Sequence, residues 1–375
     1  MGVKQAYNQT EVGITPKDWN ISVLKELTKS VISGRSKSGN QIGRYPVYGS
    51  TGIIGYTEHP DYEGEAILVA RVGANAGKIN TVSSKYGVTD NTIIITVKED
   101  NSFSFLAQLL EIKKLNDLVF GSGQPLITGS QLKSLQLATP KLAEQKLINN
   151  TLNDVNSLLH ILDQIIIKKE NVKQATMYQL LSDETCSLKN NSNWKEYYLE
   201  DLADISKGHQ LNINEKIPQE DFPHYNGGIY PSSFTSKANR PPNTIIISEG
   251  GNSCGYVQII NKPFWCGGHC YSIKPFSMDN NFLYYALKQR QNKIMKLRVG
   301  SGLPNIQKTN LGVFKLKIPE ELDYQKKISK ILLDMDKELI SLKLRRDKTF
   351  KLKEAMMYEL LTGKTRLAKL DLIHD

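Results

Sequence analysis

The chain has 375 residues, of which 39% are hydrophobic and 23% are charged. This balance is typical of a folded globular protein of two or three domains and excludes general disorder. No apolar run reaches the roughly 18 to 20 residues of a membrane helix, which predicts a cytoplasmic protein without a membrane partner. The net charge of +10 favours a polyanionic partner.

The first part of the chain predicts a domain rich in β-strands. Short runs of apolar and mostly β-branched residues, bounded by Gly and Pro, are typical of strands. The predicted elements are an opening tryptophan with a leucine pair (Trp19, Leu24, Leu27), an aromatic segment (45–48), strands at 66–70 and 92–96, a helix (103–115), a Gly-Ser-Gly-x-Pro turn (121–125) and a last strand ending at Pro140.

The next segment predicts one long helix. Apolar residues recur there at spacings of four and three, the pattern of the a and d positions of a coiled coil. These seam positions are Ile148, Leu152, Val155, Leu159 and Leu162. A helix of about 40 residues is far longer than the average globular helix of ~10 to 14 residues, which favours helix pairing. The alternative, in which each such helix packs on its own globular domain, stays open.

The second half of the chain repeats the first. A Met-Tyr-x-Leu-Leu sequence ends the long-helix segment at 177–181 and recurs at 357–361. Between residues 145–185 and 325–365, fifteen of forty-one aligned positions are identical. Solenoid repeats have periods of only ~20 to 50 residues, so this longer period indicates a duplicated domain with its helix.

The second copy contains the same elements in the same order. They are Trp194 with Leu199 and Leu202, an aromatic segment (222–225), strands at 244–248 and 256–260, a helix (281–297), a Gly-Ser-Gly-x-Pro turn (300–304), a last strand ending at Pro319, and a second seam formed by Ile328, Leu332, Met335, Leu339 and Leu342. Two copies of one unit suggest a molecule that engages two equivalent things.

These elements predict an α+β fold with two similar β-rich domains and two long helices. If the helices pair as an antiparallel coiled coil, a pseudo-twofold axis relates the two copies. The predicted divisions are a first domain (1–140), a central helix (141–186), a second domain (187–319), a distal helix (320–365) and a C-terminal tail (366–375).

The sequence predicts no metal, no cofactor and no catalytic group. Cys254, Cys266, His269 and Cys270 could be drawn as a zinc site, but structural zinc sites usually use closely spaced cysteine pairs in each half. Aligning Gly73 and Gly77 with Gly251 and Gly255 places Asp90 and Asn91 opposite Gly268 and His269, and the first copy has no cysteine. The sequence at 73–78 departs from a phosphate-binding loop in glycine spacing and in the residue after the lysine.

The order of these motifs resembles the DNA-specificity subunit of type I restriction-modification enzymes. The resemblance extends over nearly the whole chain, from residues 7–19 to the second Met-Tyr-x-Leu-Leu, and the occurrence of the whole motif order twice is its most specific feature. It implies that each β-rich domain is a target recognition domain for one half of a split double-stranded DNA sequence. It also implies that the helices space these halves and dock two methyltransferase subunits, that restriction subunits join the complex, and that this subunit has no enzymatic activity.

Polar and aromatic residues on the Gly-rich loops are the candidates for DNA contact. Arginine and lysine can pair with guanine edges and Asn and Gln with adenine edges, whereas lysines at the rim more often meet phosphate. The candidates are Arg35, Lys37, Arg44, Tyr48, Arg71, Asn75, Lys78, Asn91 and Gln124 in the first copy, and Lys207, His209, Gln210, Tyr225, Tyr230, Asn252, Tyr256, His269, Asn305 and Gln307 in the second.

Two other functions remain open on the sequence alone. The first is a non-catalytic duplicated scaffold whose coiled-coil arms bind another protein or a carbohydrate. The second is a fused restriction and modification polypeptide, which would need methyltransferase motifs that this chain lacks.

Overall fold

The computed structural model describes residues 7–120, 126–182, 193–212, 221–300, 302 and 304–367. The predicted turn at 121–125, with Gln124, and Cys186 lie outside these residues. The chain divides into two compact units: unit 1 comprises Met1–Leu162 and Arg345–Asp375, and unit 2 comprises Asp163–Leu344. Both units are mixed α and β, which confirms the predicted fold class.

Unit 1 is built around two four-stranded sheets. Its strands are β1 (Tyr7–Thr10), β2 (Gly13–Pro16), β3 (Asn20–Val23), β4 (Thr28–Ser33), β5 (Tyr45–Gly49), β6 (Gly52–Thr57), β7 (Tyr62–Glu63), β8 (Ala66–Ala70), β9 (Ile79–Val82), β10 (Lys85–Val88), β11 (Thr92–Val97) and β12 (Gln136–Thr139). Its helices are α1 (Leu24–Leu27), α2 (Phe103–Ile112), α3 (Gly129–Lys133), the first part of α4 (Leu142–Leu180) and the last part of α9 (Leu322–Leu361). The sheets have the strand orders β4-β11-β8-β9 and β6-β5-β10-β7.

Strand β8 is buried on both faces, which explains its continuous apolar sequence. Ile67 and Val69 belong to the hydrophobic cluster that includes Phe105 of α2. Leu68, between them, belongs instead to the cluster with Val88 of β10. Alternate side chains of a strand point to opposite faces, so β8 fills two cores at once.

Unit 2 repeats this plan. Its strands are β13 (Trp194–Tyr198), β14 (Ala203–Lys207), β15 (Phe222–Tyr225), β16 (Ser233–Thr235), β17 (Thr244–Ser248), β18 (Val257–Ile260), β19 (Trp265–Cys266), β20 (Cys270–Pro275) and β21 (Lys315–Pro319). Its helices are the last part of α4, α5 (Leu199–Leu202), α6 (Asn280–Gln289), α7 (Gln291–Met295), α8 (Lys308–Gly312) and the first part of α9. The central sheet has the order β14-β20-β17-β18, the counterpart of β4-β11-β8-β9, whereas the second sheet has three strands among the described residues, in the order β16-β15-β19.

The two predicted long helices are present as α4 and α9. In unit 2 they run antiparallel, because Lys169 of α4 pairs with Glu338 of α9 at 2.7 Å, and Lys173, one turn later, pairs with Asp336, which precedes Glu338. Of the predicted seam residues, seven are buried and three are partly exposed: Val155, Met335 and Leu342.

A glutamine near the start of each long helix joins it to its own unit in the same way. In unit 1, Gln145 Oε1 accepts from Ser102 N at 2.7 Å and its Nε2 donates to Pro140 O at 2.9 Å. In unit 2, Gln325 accepts from Asp279 N at 2.9 Å and donates to Pro319 O at 2.8 Å. The repeat therefore extends to individual buried hydrogen bonds.

The two shorter predicted helices end earlier than expected. The first stops at Ile112, since Lys114 takes a left-handed conformation with φ of 45° and a 3-10 turn follows. The second is interrupted at Arg290, which separates α6 from α7. Element boundaries of this kind depend on tertiary contacts that a local apolar pattern does not contain.

Candidate nucleic-acid interface

Each unit has a sheet edge at which two strands end and a third begins. In unit 1, β4 and β8 end where β11 starts, because Ser33 pairs with Ile93 and Ala70 with Thr92. In unit 2, β14 and β17 end where β20 starts, with Lys207 opposite Tyr271 and Ser248 opposite Cys270. We call this the common edge, and it brings loop residues that are distant in sequence next to one another.

Backbone hydrogen bonds at the common edge identify equivalent residues. Arg71 N donates to Asn91 O at 2.9 Å, and Glu249 N donates to His269 O at 2.9 Å. The carbonyl of Arg71 accepts from Ile127 N at 2.8 Å, and that of Glu249 accepts from Ile306 N at the same distance. Arg71 and Glu249 therefore occupy the same place, and the two units carry opposite charges there.

At the common edge, a glycine in each unit lets the segment after the first strand pass very close to the backbone of the segment before the last strand. A Cβ atom at Gly34 would lie 2.3 Å from Val88 O, and one at Gly208 would lie 2.2 Å from Gly267 O. A side chain cannot be accommodated at these distances, so only glycine permits the crossing. The next residues in the chain are the predicted DNA contacts Arg35 and His209.

The glycine pair aligned from the sequence forms the same turn in both units. Gly73 and Gly77 have φ of +75° and +91°, and Gly251 and Gly255 have φ of +75° and +86°. Such values favour glycine, which is why the pair recurs in both copies. The turn carries Asn75 and Lys78 in unit 1 and Asn252 in unit 2.

In unit 1 the common edge carries an arginine with unused hydrogen-bonding capacity. Arg71 is half-buried, and its Nε is buried without a hydrogen-bond partner among the described residues. Arg35, Lys37, Lys78 and Asn91 are exposed. This edge therefore offers several donors.

In unit 2 the same edge is organised by Glu249. Its carboxylate accepts from Lys207 Nζ at 2.6 Å and from the Tyr271 hydroxyl at 3.1 Å, and it lies 3.6 Å from His269 Nδ1. Glu249 is only 13% exposed, whereas Lys207 and His269 are 53% and 61% exposed. Burial, reinforced by the negative charge of Glu249, raises the pKa of Tyr271 to about 12.

The prediction of site residues included Lys207 and His269 but missed the carboxylate that joins them. Acidic residues are unexpected at a surface that meets a polyanion, so Glu249 was not selected from the sequence. The glycine alignment contained the necessary signal, because it places Glu249 opposite Arg71.

Several predicted contact residues lie elsewhere or have other partners. The Tyr48 and Tyr225 rings pack edge-on against Tyr86 and Phe264, with ring centres 6.5 and 5.8 Å apart, respectively. Burial raises the pKa of both the Tyr48 and the Tyr225 hydroxyl. The remaining candidates away from the packed core are Arg44 over the Tyr45 ring, the exposed Gln210, Gln307 and Tyr230, and Asn305, whose backbone pairs with Val299.

Tyr256 contacts α6 of unit 2. Lys288 Nζ lies 3.9 Å from the centre of its ring and donates to Val257 O and to Gln291 Oε1, both at 2.8 Å. Burial, helped by the positive charge of Lys173, lowers the pKa of Lys288 to about 8. The Tyr256 ring is therefore held against α6.

The three described cysteines are buried free thiols. Cys270 Sγ accepts from Gly227 N at 3.0 Å, and Cys254 Sγ donates to Glu249 O at 3.0 Å. In the part of the chain that the structure describes, no group of His, Cys, Asp and Glu side chains is arranged to hold a metal ion. Within the same residues, none of the helices is both apolar enough and long enough to span a membrane.

The repeated Met-Tyr-x-Leu-Leu sequences place one exposed tyrosine at the end of each long helix. The leucine pairs at 180–181 and 360–361 are buried in the cores of unit 2 and unit 1, respectively. Tyr178 and Tyr358 remain 61% and 50% exposed. Each borders a cleft, of about 400 Å³ in unit 2 and about 350 Å³ in unit 1.

Comparison with known proteins relates this chain to a protein family. Residues 16–171 and 191–349 match the family model of the type I restriction modification DNA specificity domain. A putative type I specificity subunit of Mycoplasma genitalium is 34% identical over 158 residues, which are 41% of each chain, so this chain spans less than half of that relative in the alignment. A putative type I restriction enzyme specificity subunit of Methanocaldococcus jannaschii is 25% identical over 97% of both chains.

A solved structure has the same fold. The S subunit of a type I restriction-modification system from M. genitalium matches with a TM-score of 0.64 at 20% identity, over 91% of this chain and 96% of that one. At this identity the match bears on the fold alone.

Proposed function

The chain belongs to the type I restriction-modification DNA specificity family, and we therefore propose that it is the DNA-reading subunit of such a system. Unit 1 and unit 2 each read one half of a bipartite double-stranded target. The long helices fix the spacing of the halves and dock two methyltransferase subunits, and restriction subunits join through that complex. This chain is the non-catalytic subunit, so adenine methylation and DNA cleavage belong to its partners.

The observation that carries this proposal is a common framework with different side chains at one edge. The glycines and the backbone hydrogen bonds at the common edge are the same in both units, whereas Arg71 is replaced by Glu249 and Asn91 by His269. Base edges are distinguished by their patterns of donors and acceptors. Two equivalent edges with different donors and acceptors suit two different half-sites.

The exposed tyrosines support the docking role of the helices. Tyr178 and Tyr358 occupy the same place in two similar helices, and each borders a cleft in its own unit. Tyrosine is enriched at protein interfaces because it combines apolar area with a hydrogen-bonding hydroxyl. Two equivalent surfaces of this kind suit two copies of one partner.

Replacing residues 15–140 by the equivalent segment of a relative should change one half of the target sequence and leave the other half unchanged. The physical reason is that each common edge is formed within one unit. The measurement is a map of methylated adenines in DNA from cells that contain the chimera and its methyltransferase partner. A change in both halves, or in neither, would contradict the proposed division of labour.

The reconstituted complex should contain two methyltransferase subunits for each copy of this chain, because the tyrosine surface occurs twice. Native mass spectrometry at saturating partner measures this ratio. A double substitution, Tyr178→Ala with Tyr358→Ala, should weaken assembly, whereas the exposed Tyr230→Ala serves as a control. A complex that stays one-to-one at saturation would refute two equivalent docking surfaces.

A further inference from the structure

Unit 1 contains an open polar cleft of about 570 Å³ beside its common edge. One wall is the segment that follows β4, the other is the turn between β5 and β6, and the residues before β11 complete it. The polar side chains that line it include Arg35, Lys37, Ser50, Thr51, Asp90 and Asn91. Cationic, anionic and neutral polar groups thus meet in one concave space.

The wall after β4 is held in place by side-chain contacts. Ser36 Oγ donates to Asp61 Oδ2 at 2.5 Å and accepts from Val88 N at 2.8 Å. The neighbouring guanidinium of Arg35 lies 5.9 Å from the centre of the Tyr62 ring. A wall fastened in this way loses little conformational entropy when a ligand enters.

The corresponding place in unit 2 is filled by the protein itself. Thr89 and Asp90 correspond to Gly267 and Gly268, as the matching contacts of Gly34 and Gly208 show. A Cβ at Gly267 would lie 2.5 Å from Asn226 Oδ1, and one at Gly268 would lie 3.0 Å from Gln210 Oε1. Asn226 stands where unit 1 has Gly49, because Tyr225 and Tyr48 pair with equivalent strands.

Unit 2 therefore has a large side chain, Asn226, on the turn and two glycines before β20. Unit 1 has a glycine, Gly49, on the turn and the larger residues Thr89 and Asp90 before β11. The cleft of unit 1 is left open by this exchange. Its lining includes a carboxylate, Asp90, together with the cationic Arg35 and Lys37.

The charges of the cleft distinguish between possible occupants. A phosphate group would be repelled by Asp90, although Lys37 at the rim suits the backbone beside it. A base-pair edge in the major groove presents acceptors and an exocyclic amino donor side by side. Arginine donates to such acceptors, and an aspartate accepts from the amino group of cytosine or, similarly, of adenine.

We propose that this cleft receives the major-groove edge of one base pair, with Asp90 as a specificity-determining residue that accepts from an exocyclic amino group. Arg35 donates to the acceptor atoms beside that amino group. This inference rests on the proposed function and adds one base position, one chemical group and one residue to it.

The test compares Asp90→Ala with Asp100→Ala in the full chain bound to its methyltransferase partner. Asp100 is an exposed carboxylate outside the cleft, so its substitution matches the change in charge. Binding is measured for targets in which each base of the mapped sequence is changed in turn. At one position of the unit 1 half-site, Asp90→Ala should reduce the preference for the amino-bearing base about fivefold or more, because alanine has no side-chain acceptor.

A base analogue that lacks the amino group isolates the contact. Replacing the amino-bearing base at that position by purine or 2-pyrimidinone should weaken binding of the original protein at least about fivefold, and Asp90→Ala should remove this difference. A second variant, Gly49→Asn, gives unit 1 the residue found in unit 2 and should fill the cleft with the same loss of preference.

Unchanged base preferences in both Asp90→Ala and Gly49→Asn would overturn the inference, as would an equal response to Asp100→Ala. A change confined to the unit 2 half-site would also overturn it. These outcomes are separate from the proposed function, which is tested by the exchange of residues 15–140 in the original protein.

Discussion

Replacing Leu332 by alanine should lower the free energy of unfolding by about 2 to 5 kcal/mol. The Leu332 side chain is fully buried and belongs to the same hydrophobic cluster of unit 2 as Phe282 and Leu316. The substitution removes apolar contacts and leaves a cavity that the surrounding side chains fill only in part. Urea unfolding followed by tryptophan fluorescence measures the change, since Trp194 belongs to this cluster.

The neighbouring residue provides a matched control on the same helix. Ile331 is 39% exposed, so Ile331→Ala removes a side chain of equal size at a position that buries less of it. Ile331→Ala should lower the free energy of unfolding by less than about 1 kcal/mol beyond the effect of an ordinary surface substitution. Equal losses at positions 331 and 332 would show that Leu332 is not held in the core of unit 2.

The long helices could be predicted from the sequence because their signal is local and repeated. Ile328, Leu332 and Leu339 recur at spacings that place them on one helix face, and burial then follows from helix geometry. Strand β8 was predicted for a similar reason, since a short apolar run of five residues between Glu65 and Arg71 is typical of a buried strand. Neither prediction required knowledge of distant parts of the chain.

The chemistry of the common edge was only partly predictable, because it depends on contacts between distant segments. Tyr48 is of a residue type that often contacts DNA, yet its ring packs against Tyr86. Glu249 has the wrong charge for a DNA contact, yet it holds Lys207 in place. Residue type states what a side chain can do, whereas its partners decide whether that capacity is already used.

Arg71 has hydrogen-bonding capacity that its neighbours do not use. Arg71→Ala should therefore weaken specific DNA binding by about 1 to 3 kcal/mol, which is roughly 5- to 150-fold in affinity. Its counterpart Glu249 is already occupied by Lys207 and Tyr271, whereas Arg71 Nε has no partner among the described residues. Because Nε is itself buried, a bidentate contact to a guanine edge would come from the Nη end of this half-buried guanidinium. The measurement is binding of the assembled complex to the mapped target and to targets altered at single positions.

Lys78→Ala is the control for Arg71→Ala, because Lys78 is exposed and follows the turn formed by Gly73 and Gly77. If Lys78 meets a phosphate, Lys78→Ala should weaken binding to all sequences alike and reduce the salt slope by about one. Arg71→Ala should instead relax the preference at one position of the unit 1 half-site, because a base contact discriminates between sequences and a phosphate contact does not. A uniform loss for Arg71→Ala, with no change in base preference, would assign this arginine to the backbone and leave the reading of unit 1 to the cleft beside it.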